Sequence, residues 1–357
     1  MRKQRTAVIC LSRVNGGMEL ASIKLARLLS EEIEVEFIGR RGSFILERVE
    51  HFQGFNIQVH EVAFRSNLSL KLIHSVRKIL IEREIKNIIF LGASEMKSLY
   101  FATLGLDINF IIRQGSKKTT PKKDFFHKLF YSNVNYFVGN CDFMKKNILE
   151  ILPIPSKADV TRIYASLQLP QDVEYKKLNG CVSIVCVGRV HPGKGQIEAI
   201  EACRVLHEKG IAFELKFLGN IQDKEYFAKI NMLLASLPYE NSIEFVGYTS
   251  DIKKYLQQSD VFILPSLGEG MSNAIIEALG YGLIPIIYDD TSSQEFVQLG
   301  FHIHLTQENT VSNLMKILLY VAQNLETEKK MAINNHQKVL DVFSPIREKK
   351  EYTRLLL

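Results

Sequence analysis

Glu269 and Glu277 stand eight residues apart in VFILPSLGEGMSNAIIEALGYGLIPIIYDD, which runs from Val261 to Asp290. Gly268-Glu269-Gly270 forms a flexible loop, and Met271, Ser272 and Asn273 lead from it into a helix. Such a junction leaves backbone N–H groups without helical partners and aims a partial positive charge outward, a setting that suits a diphosphate. Glu269, in the loop, faces the same space from above. Glu277 lies among Ile275, Ile276, Ala278 and Leu279, and an inward-facing carboxylate there needs donors such as the paired hydroxyls of a ribose. A capping and surface pair of glutamates is the plainer alternative. Earlier in the chain, Gly188-Arg189-Val190-His191-Pro192-Gly193-Lys194-Gly195 places two cations, Arg189 and Lys194, five residues apart in a glycine-rich turn. Cations between a buried strand and a helix N-terminus are positioned to neutralise a diphosphate. The turn is not a G-x-x-x-x-G-K-[ST] phosphate loop, because Gly195 follows Lys194. His191 reads as a turn residue rather than a phosphate contact.

These groups need a scaffold. Val261–Leu264 is a short apolar run of buried-strand type, broken by Pro265-Ser266, and Ser272 or Asn273 can cap a helix from Asn273 to about Tyr281. Gly282 ends that helix and Ile284–Tyr288 is the next strand. Around the cation turn, Val182–Val187 reads as a strand and Ile197 to about Lys209 as a helix. Phe213–Gly219 and Ile243–Gly247 are further strands, with helices at Lys224–Leu237, Asp251–Gln257, Val311–Asn324 and Glu328–Val342. A short charged helix, Ile346–Leu357, closes the chain.

The first half alternates in the same way. Strands are expected at Thr6–Leu11, Val35–Ile38, Asn87–Leu91, Ile108–Ile112, Tyr136–Gly139 and Val160–Tyr164. Helices are expected at Glu19–Leu29, Leu70–Arg83 and Asp142–Leu152, with a loop at Arg13-Val14-Asn15-Gly16-Gly17. Strands separated by crossover helices imply a parallel sheet covered on both faces, with ligands beyond the carboxyl ends of the strands. The Gly16-Gly17 backbone can therefore approach a donor phosphate or sugar closely. Gln168–Gly180 has linker composition, which divides the chain into 1–170, 171–342 and a C-terminal helix over 343–357.

The motifs together carry a resemblance. The order GR-x4-K-G, then E-x7-E after a PSxxEG turn, then a small-residue helix and a G-x-P-I/V-I strand, resembles the donor site of retaining glycosyltransferases of family 4, whose fold is GT-B. The likeness is specific from about 182 to 297 and mostly one of pattern before that. It implies two Rossmann-like, doubly wound parallel-sheet domains facing a cleft, with the last helix crossing back to the first domain. It implies that Arg189 and Lys194 hold the donor pyrophosphate, that Glu269 touches the transferred sugar and that Glu277 binds the ribose. By the same likeness Gly16, Gly17, Gly270, Met271, Ser272 and Asn273 line the donor, and Tyr248, after Gly247, lies beside the base or closes a turn. Glu295 matches a commonly acidic position. Many relatives carry a histidine where this chain has Arg113-Gln114-Gly115, so Arg113 and Gln114 become acceptor-side candidates, with Lys117 and Lys118 beside them. The donor is expected to be a nucleotide sugar, UDP-sugar favoured, with no metal and no other cofactor. Lipopolysaccharide-core or other surface-polysaccharide assembly is the implied setting. A sugar-nucleotide epimerase of the same fold and a non-catalytic nucleotide-sugar-binding protein are the alternatives.

Charge bears on the acceptor. Residues 1–170 carry 26 Lys+Arg against 16 Asp+Glu, a balance of +10, and the remainder balances at −4. A basic first half points to an anionic partner or is a solvated face. The most basic stretch is SKKTTPKKDFFHK (Ser116–Lys128), where Phe125 and Phe126 either dip into an interface or pack with Leu129 and Phe130 on the core. A glycan or lipid-linked anionic acceptor, with peripheral contact at the inner membrane surface, is the expected partner. No nucleic-acid-reading motif is present. The five cysteines, Cys10, Cys141, Cys181, Cys186 and Cys203, are scattered without a C-x-x-C pair, which fits free thiols rather than a disulfide framework or zinc site. No signal-peptide core or membrane-spanning run is found, so a cytoplasmic protein is expected.

Overall fold

The computed structural model describes residues 5–13 and 16–356. Residues 1–4, Val14 and Asn15 of the expected glycine loop, and Leu357 lie outside the described residues. The chain divides into two units, one of Met1–Ala165 with Pro345–Leu357 and one of Ser166–Ser344.

The first unit is built on seven parallel strands: β1 (Arg5–Cys10), β2 (Val35–Arg40), β3 (Ile57–Val62), β4 (Ile85–Leu91), β5 (Asn109–Gln114), β6 (Tyr136–Gly139) and β7 (Asp159–Arg162). Their spatial order is β3-β2-β1-β4-β5-β6-β7. The order reverses at β1, so the crossover helices fall on both faces. Strand alternation then serves two cores. Ala7, Ile9 and Leu11 face one, with Leu72, Val76, Phe90 and Phe110, while Val8 and Cys10 face the other, with Ile23, Leu29, Phe37 and Ile111.

Strand β3 was not expected. Its sequence, IQVHEV, lies at the sheet edge and is only half buried, so it lacks the continuous apolar run of its neighbours. A helix at Met96–Thr103 was likewise not expected. The C-terminal helix, Pro345–Leu356, belongs to this unit. Tyr352 and Leu356 enter the second core, and Nδ2 of Asn109 donates to the Leu355 carbonyl at 2.6 Å. Lys349 pairs with Glu31 at 2.8 Å and Glu32 at 3.1 Å.

The second unit carries six parallel strands: β8 (Val182–Val187), β9 (Phe213–Leu218), β10 (Ile243–Gly247), β11 (Val261–Leu264), β12 (Ile284–Ile287) and the two-residue β13 (His304–Leu305). Their order is β10-β9-β8-β11-β12-β13, so this sheet reverses at β8, between the two motif-bearing strands. Two expected helices are each broken. The Ile197–Lys209 stretch forms Gln196–Ala202 and Arg204–Glu208, because the turn tightens at Cys203, whose N–H reaches the Ile200 carbonyl three residues back at 3.2 Å. Glu328–Val342 divides into Leu325–Ile333 and Asn335–Val342, tightening in the same way at Asn334.

The expected linker is not loose. Residues 168–180 hold no helix or strand, yet a Cβ on Gly280 would lie 2.1 Å from Leu169, and one on Gly282 would lie 2.7 Å from Tyr175. Lys176 pairs with the fully buried Asp260, which also accepts from the Ser183 N–H at 3.1 Å. Linker composition thus conceals anchoring side chains that pack along the second unit.

Candidate functional site

The cation turn leaves β8 at Gly188, and its shape follows from its glycines. Gly195 has φ +69°, and a Cβ there would lie 2.2 Å from the Pro265 carbonyl oxygen, so the turn after β8 rests directly on the loop after β11. The Leu267 N–H donates to the Gly193 carbonyl at 3.2 Å and joins the two loops a second time. Nδ1 of His191 accepts from the Gly193 N–H at 3.1 Å, the turn role read from sequence. Lys194 folds back along Gly188, its Cδ 3.6 Å from where a Cβ would be. Its amine is thereby carried over to the second motif, where it donates to Oε1 of Glu269. Both side chains are about three-quarters buried, so the pair is shielded without being sealed from water. Arg189 is exposed and forms no ion pair among the described residues, which leaves its guanidinium available to an anion.

Across the loop, the helix Asn273–Gly280 begins at Ser272, whose hydroxyl makes no capping bond. Its first backbone bond runs from the Ile276 N–H to the Ser272 carbonyl. The N–H groups of Asn273, Ala274 and Ile275 therefore have no partner among the described residues, although Ser272 or Asn273 was expected to cap them. An uncapped start keeps these donors open to an anion. Met271 is buried, so only its backbone is offered to the site. Glu277 lies one turn into the helix, partly buried and engaged with its surroundings, and its charge adds to the burial that raises the Tyr281 phenol.

A third loop, after β12, was not singled out from sequence. Oδ2 of Asp290 accepts from the Gly268 N–H, Oγ1 of Thr291 donates to the Glu269 carbonyl, and Oγ of Ser292 donates to the Gly270 carbonyl at 2.8 Å. Three consecutive side chains thus hold the Gly268–Gly270 backbone and fix Glu269. Thr291 has φ +49°, strain of the kind that persists only where surroundings enforce it. The legible signal was a run of polar residues, DDTSS, directly after a buried strand. Gln196 was also missed: it is fully buried, and its amide donates to the Arg189 carbonyl at 3.0 Å. Tyr248 follows Gly247, whose φ is +80°, and presents a ring that is 68% exposed. Glu295 is buried within Ser293–Gln298.

The first unit places its candidates differently. Gly16 is the N-cap of the helix Gly17–Ser30 with extended backbone, and a Cβ on it would lie 3.0 Å from Oε2 of Glu19. This buried first-turn carboxylate already complements the helix dipole and opposes a phosphate near Gly16 and Gly17. Arg113 is only 7% exposed, and its charge acts on the buried phenol of Tyr352, so it does not stand open at the strand end. Gln114 is 8% exposed and donates to Oδ1 of Asn147 at 2.7 Å. Asn147 in turn binds the Lys118 N–H and carbonyl, each at 2.9 Å, so Gln114 helps to shape the lysine loop. Lys117 lies 5.6 Å from the Phe143 ring centre. Phe130 packs in the core, whereas Phe125 and Phe126 are 74% and 64% exposed, which goes against the alternative in which they pack there too.

One grouping among the described residues has the spacing to hold a metal: His302, His304 and Glu328, with ligand atoms within 4.8 Å of one another. Both imidazole Nε2 atoms lie 2.7 Å from Oε2 of Glu328. Burial pushes the Glu328 carboxyl up, but hydrogen bonds with His304 and His302 outweigh it and hold the group below the ordinary carboxylate range. None of the residues expected at the donor site belongs to it. The five cysteines are free and four are buried; burial pushes the Cys186 thiol up to about 12.

Comparison with known proteins places this geometry. The family "Glycosyl transferases group 1" matches residues 174–338, within the second unit. An amylovoran biosynthesis glycosyltransferase of Erwinia amylovora is 32% identical over 148 residues, and the chain covers 36% of that relative's length. A capsular polysaccharide biosynthesis glycosyltransferase of Staphylococcus aureus is 23% identical over 95% of this chain and 96% of its own. An Escherichia coli UDP-Gal:alpha-D-GlcNAc-diphosphoundecaprenol alpha-1,3-galactosyltransferase is 26% identical over 56% of this chain and 52% of its own. Among solved structures, a glycosyltransferase from Rickettsia africae aligns with a TM-score of 0.83 at 18% identity, over 100% of this chain and 98% of its own. Anabaena HepE in complex with UDP-glucose aligns at 0.78 and 15% identity, over 99% of both chains. The fold is that of the GT-B glycosyltransferases, and the family match lies within the second unit, while the chain spans only about a third of the length of the Erwinia relative.

Proposed function

We propose that the protein transfers a sugar from a nucleotide-diphosphate donor to a hydroxyl of a glycan or glycolipid acceptor in surface-polysaccharide assembly, with retention of anomeric configuration. The observation that carries this reading is the convergence of Lys194, Glu269 and the unpaired N–H groups of Asn273, Ala274 and Ile275 at the ends of β8 and β11. Arg189 stands available beside them.

In the proposed reaction the acceptor hydroxyl oxygen bonds to the anomeric carbon on the same face from which the diphosphate departs, as the bond from that carbon to the diphosphate oxygen breaks. The hydroxyl proton leaves with the nucleoside diphosphate or passes to solvent. Negative charge builds on the departing diphosphate, and preorganised cations and amides facing it lower the barrier. Arg189, Lys194 and the backbone of Gly270–Asn273 take that part, supplying the positive charge themselves. Glu269 orients the sugar hydroxyls, Glu277 the ribose, and Tyr248 offers its ring to the base.

Lys194 pairs with Glu269, so the amine is held in place and its charge is compensated. A diphosphate draws the amine away and leaves the carboxylate to accept from the sugar. Support for UDP comes from HepE, whose structure is described in complex with UDP-glucose, and support for a lipid diphosphate acceptor from the galactosyltransferase named above. A thermal-shift series of nucleotide sugars tests the donor. A ligand bound only to the folded state at a hundred times its Kd stabilises by about 2.7 kcal/mol. UDP-sugars are expected to raise the Tm, and a flat response to every nucleotide sugar removes the reading. Incubation with the donor alone separates transfer from epimerisation, which needs no acceptor.

A further inference from the structure

The first unit holds a cavity of about 220 Å³ whose lining includes Phe130, Tyr131, Lys97, Lys122 and His127. None of the residues lining it is acidic. Two carboxylates lie close in sequence to the lining: Glu95 is buried and faces the charge of Arg40, and Asp124 is taken up by His127, whose Nδ1 it contacts and from whose backbone N–H it accepts at 3.2 Å. Lys122 is held in position by its own N–H, which donates to the Ile151 carbonyl at 2.7 Å. Neither Lys97, Lys118 nor Lys122 forms an ion pair among the described residues. Burial, then the charges of Lys118 and Lys97, push the Lys122 amine below the ordinary lysine value. Lys97 and Lys122 share the lining of one cavity that has no acidic lining residue, with the charge of Lys118 acting on Lys122, and an anion in the cavity relieves their mutual repulsion.

The cavity also has an apolar exit. Phe126 stacks on Phe130 with ring centres 6.5 Å apart, and Phe125 meets Phe126 edge-on at 5.8 Å. The two outer rings are largely exposed, although the helix Phe125–Tyr131 has a buried side available at Phe130 and Tyr131. An aromatic strip therefore runs from Phe130 in the cavity lining outward over the exposed rings of Phe126 and Phe125. Free phosphate has no use for such a strip, and a plain hydrocarbon has none for the lysines.

We propose that this cavity binds the phosphoryl or diphosphoryl group of an acceptor in which that group is joined to an apolar chain. Lys97 and Lys122 take the oxygens, and Phe126 and Phe125 take the first part of the chain. That the ligand is the sugar acceptor rests on the transferase reading; the binding itself does not.

Farnesyl diphosphate is a soluble probe of this chemistry, titrated calorimetrically into the full-length protein. Lys122→Gln and Lys97→Gln are each expected to weaken it about tenfold, the scale of one charge-assisted hydrogen bond. Phe126→Ser weakens it too, and inorganic pyrophosphate binds the cavity less tightly than the prenyl compound. UDP affinity stays within about twofold of wild type in the lysine variants, which also reports that they are folded. Unchanged farnesyl diphosphate affinity in both lysine variants overturns the proposal, as does affinity lost only on Lys194→Ala. Capture by vesicles of anionic phospholipid with the same lysine dependence, without farnesyl diphosphate binding, overturns it in favour of a general membrane contact. If UDP fails to bind while farnesyl diphosphate still depends on Lys122, the donor reading fails and the cavity stands.

Discussion

The amine of Lys194 donates to the carboxylate of Glu269 across 75 residues of sequence. The contact joins the two motifs that bracket the second sheet's point of reversal, and each residue holds the other in the shape a donor would meet. Lys194→Ala is expected to lower kcat/KM for transfer by about 10² to 10³, the usual effect of losing one preorganised donor to a developing negative charge. Glu269→Gln keeps the shape but loses the charge that holds Lys194, so it lowers kcat while changing nucleotide affinity less. Steady-state kinetics with and without each variant decide the matter; equal turnover in Lys194→Ala removes the donor-site assignment.

Gly195 is the hinge on which that contact depends. Its left-handed φ and its closeness to the Pro265 carbonyl leave no space for a methyl group. Gly195→Ala is expected to cost at least about 2 kcal/mol of stability through strain and displacement of the turn. Denaturant unfolding measures the loss, and nucleotide binding should weaken with it because both motif loops shift.

Lys329 offers a pH test of the second unit. Burial pushes its amine down to about 8, partly countered by Asp260 and reinforced by Lys176. Between pH 8 and the unfolded value of 10.5 the unfolded chain holds a proton that the native chain has released. Stability from this group therefore rises with pH across that window, by up to about 3 kcal/mol, and is flat below it. Lys329→Met should abolish this rise in urea unfolding measured from pH 7.5 to 10.5. A variant whose pH slope matches wild type shows that another group is responsible.

Tyr352 tests the C-terminal helix. Its ring is fully buried in the second core of the first unit. Tyr352→Ala is expected to cost about 3–5 kcal/mol, the range for deleting a large buried aromatic side chain. Tyr352→Phe keeps the ring and should retain most of the stability. Thermal unfolding of the two variants separates a packing role from a dispensable tail.

Much of the scaffold was readable because buried parallel strands are continuous apolar runs. Val182–Val187, Val261–Leu264 and Tyr136–Gly139 stand where their composition puts them. The edge strand Ile57–Val62 escaped because only one side of it is well covered. The breaks at Cys203 and Asn334 escaped because a tightened turn leaves the apolar spacing of a helix nearly intact.

By itself, the sequence determined which groups could meet a diphosphate, Arg189 and Lys194 in one glycine turn, and which could accept from sugar hydroxyls, Glu269 and Glu277 around the other, each turn at the end of an apolar strand. Residue type and local spacing suffice for that, since they specify charge, turn and strand end. Only the tertiary structure decided that Lys194 reaches Glu269, that Asp290, Thr291 and Ser292 clasp the loop between them, and that Arg113 and Gln114 turn inward. Those outcomes depend on which strands become neighbours and how closely their loops pack, and no stretch of chain encodes a contact with another except through the fold that brings them together.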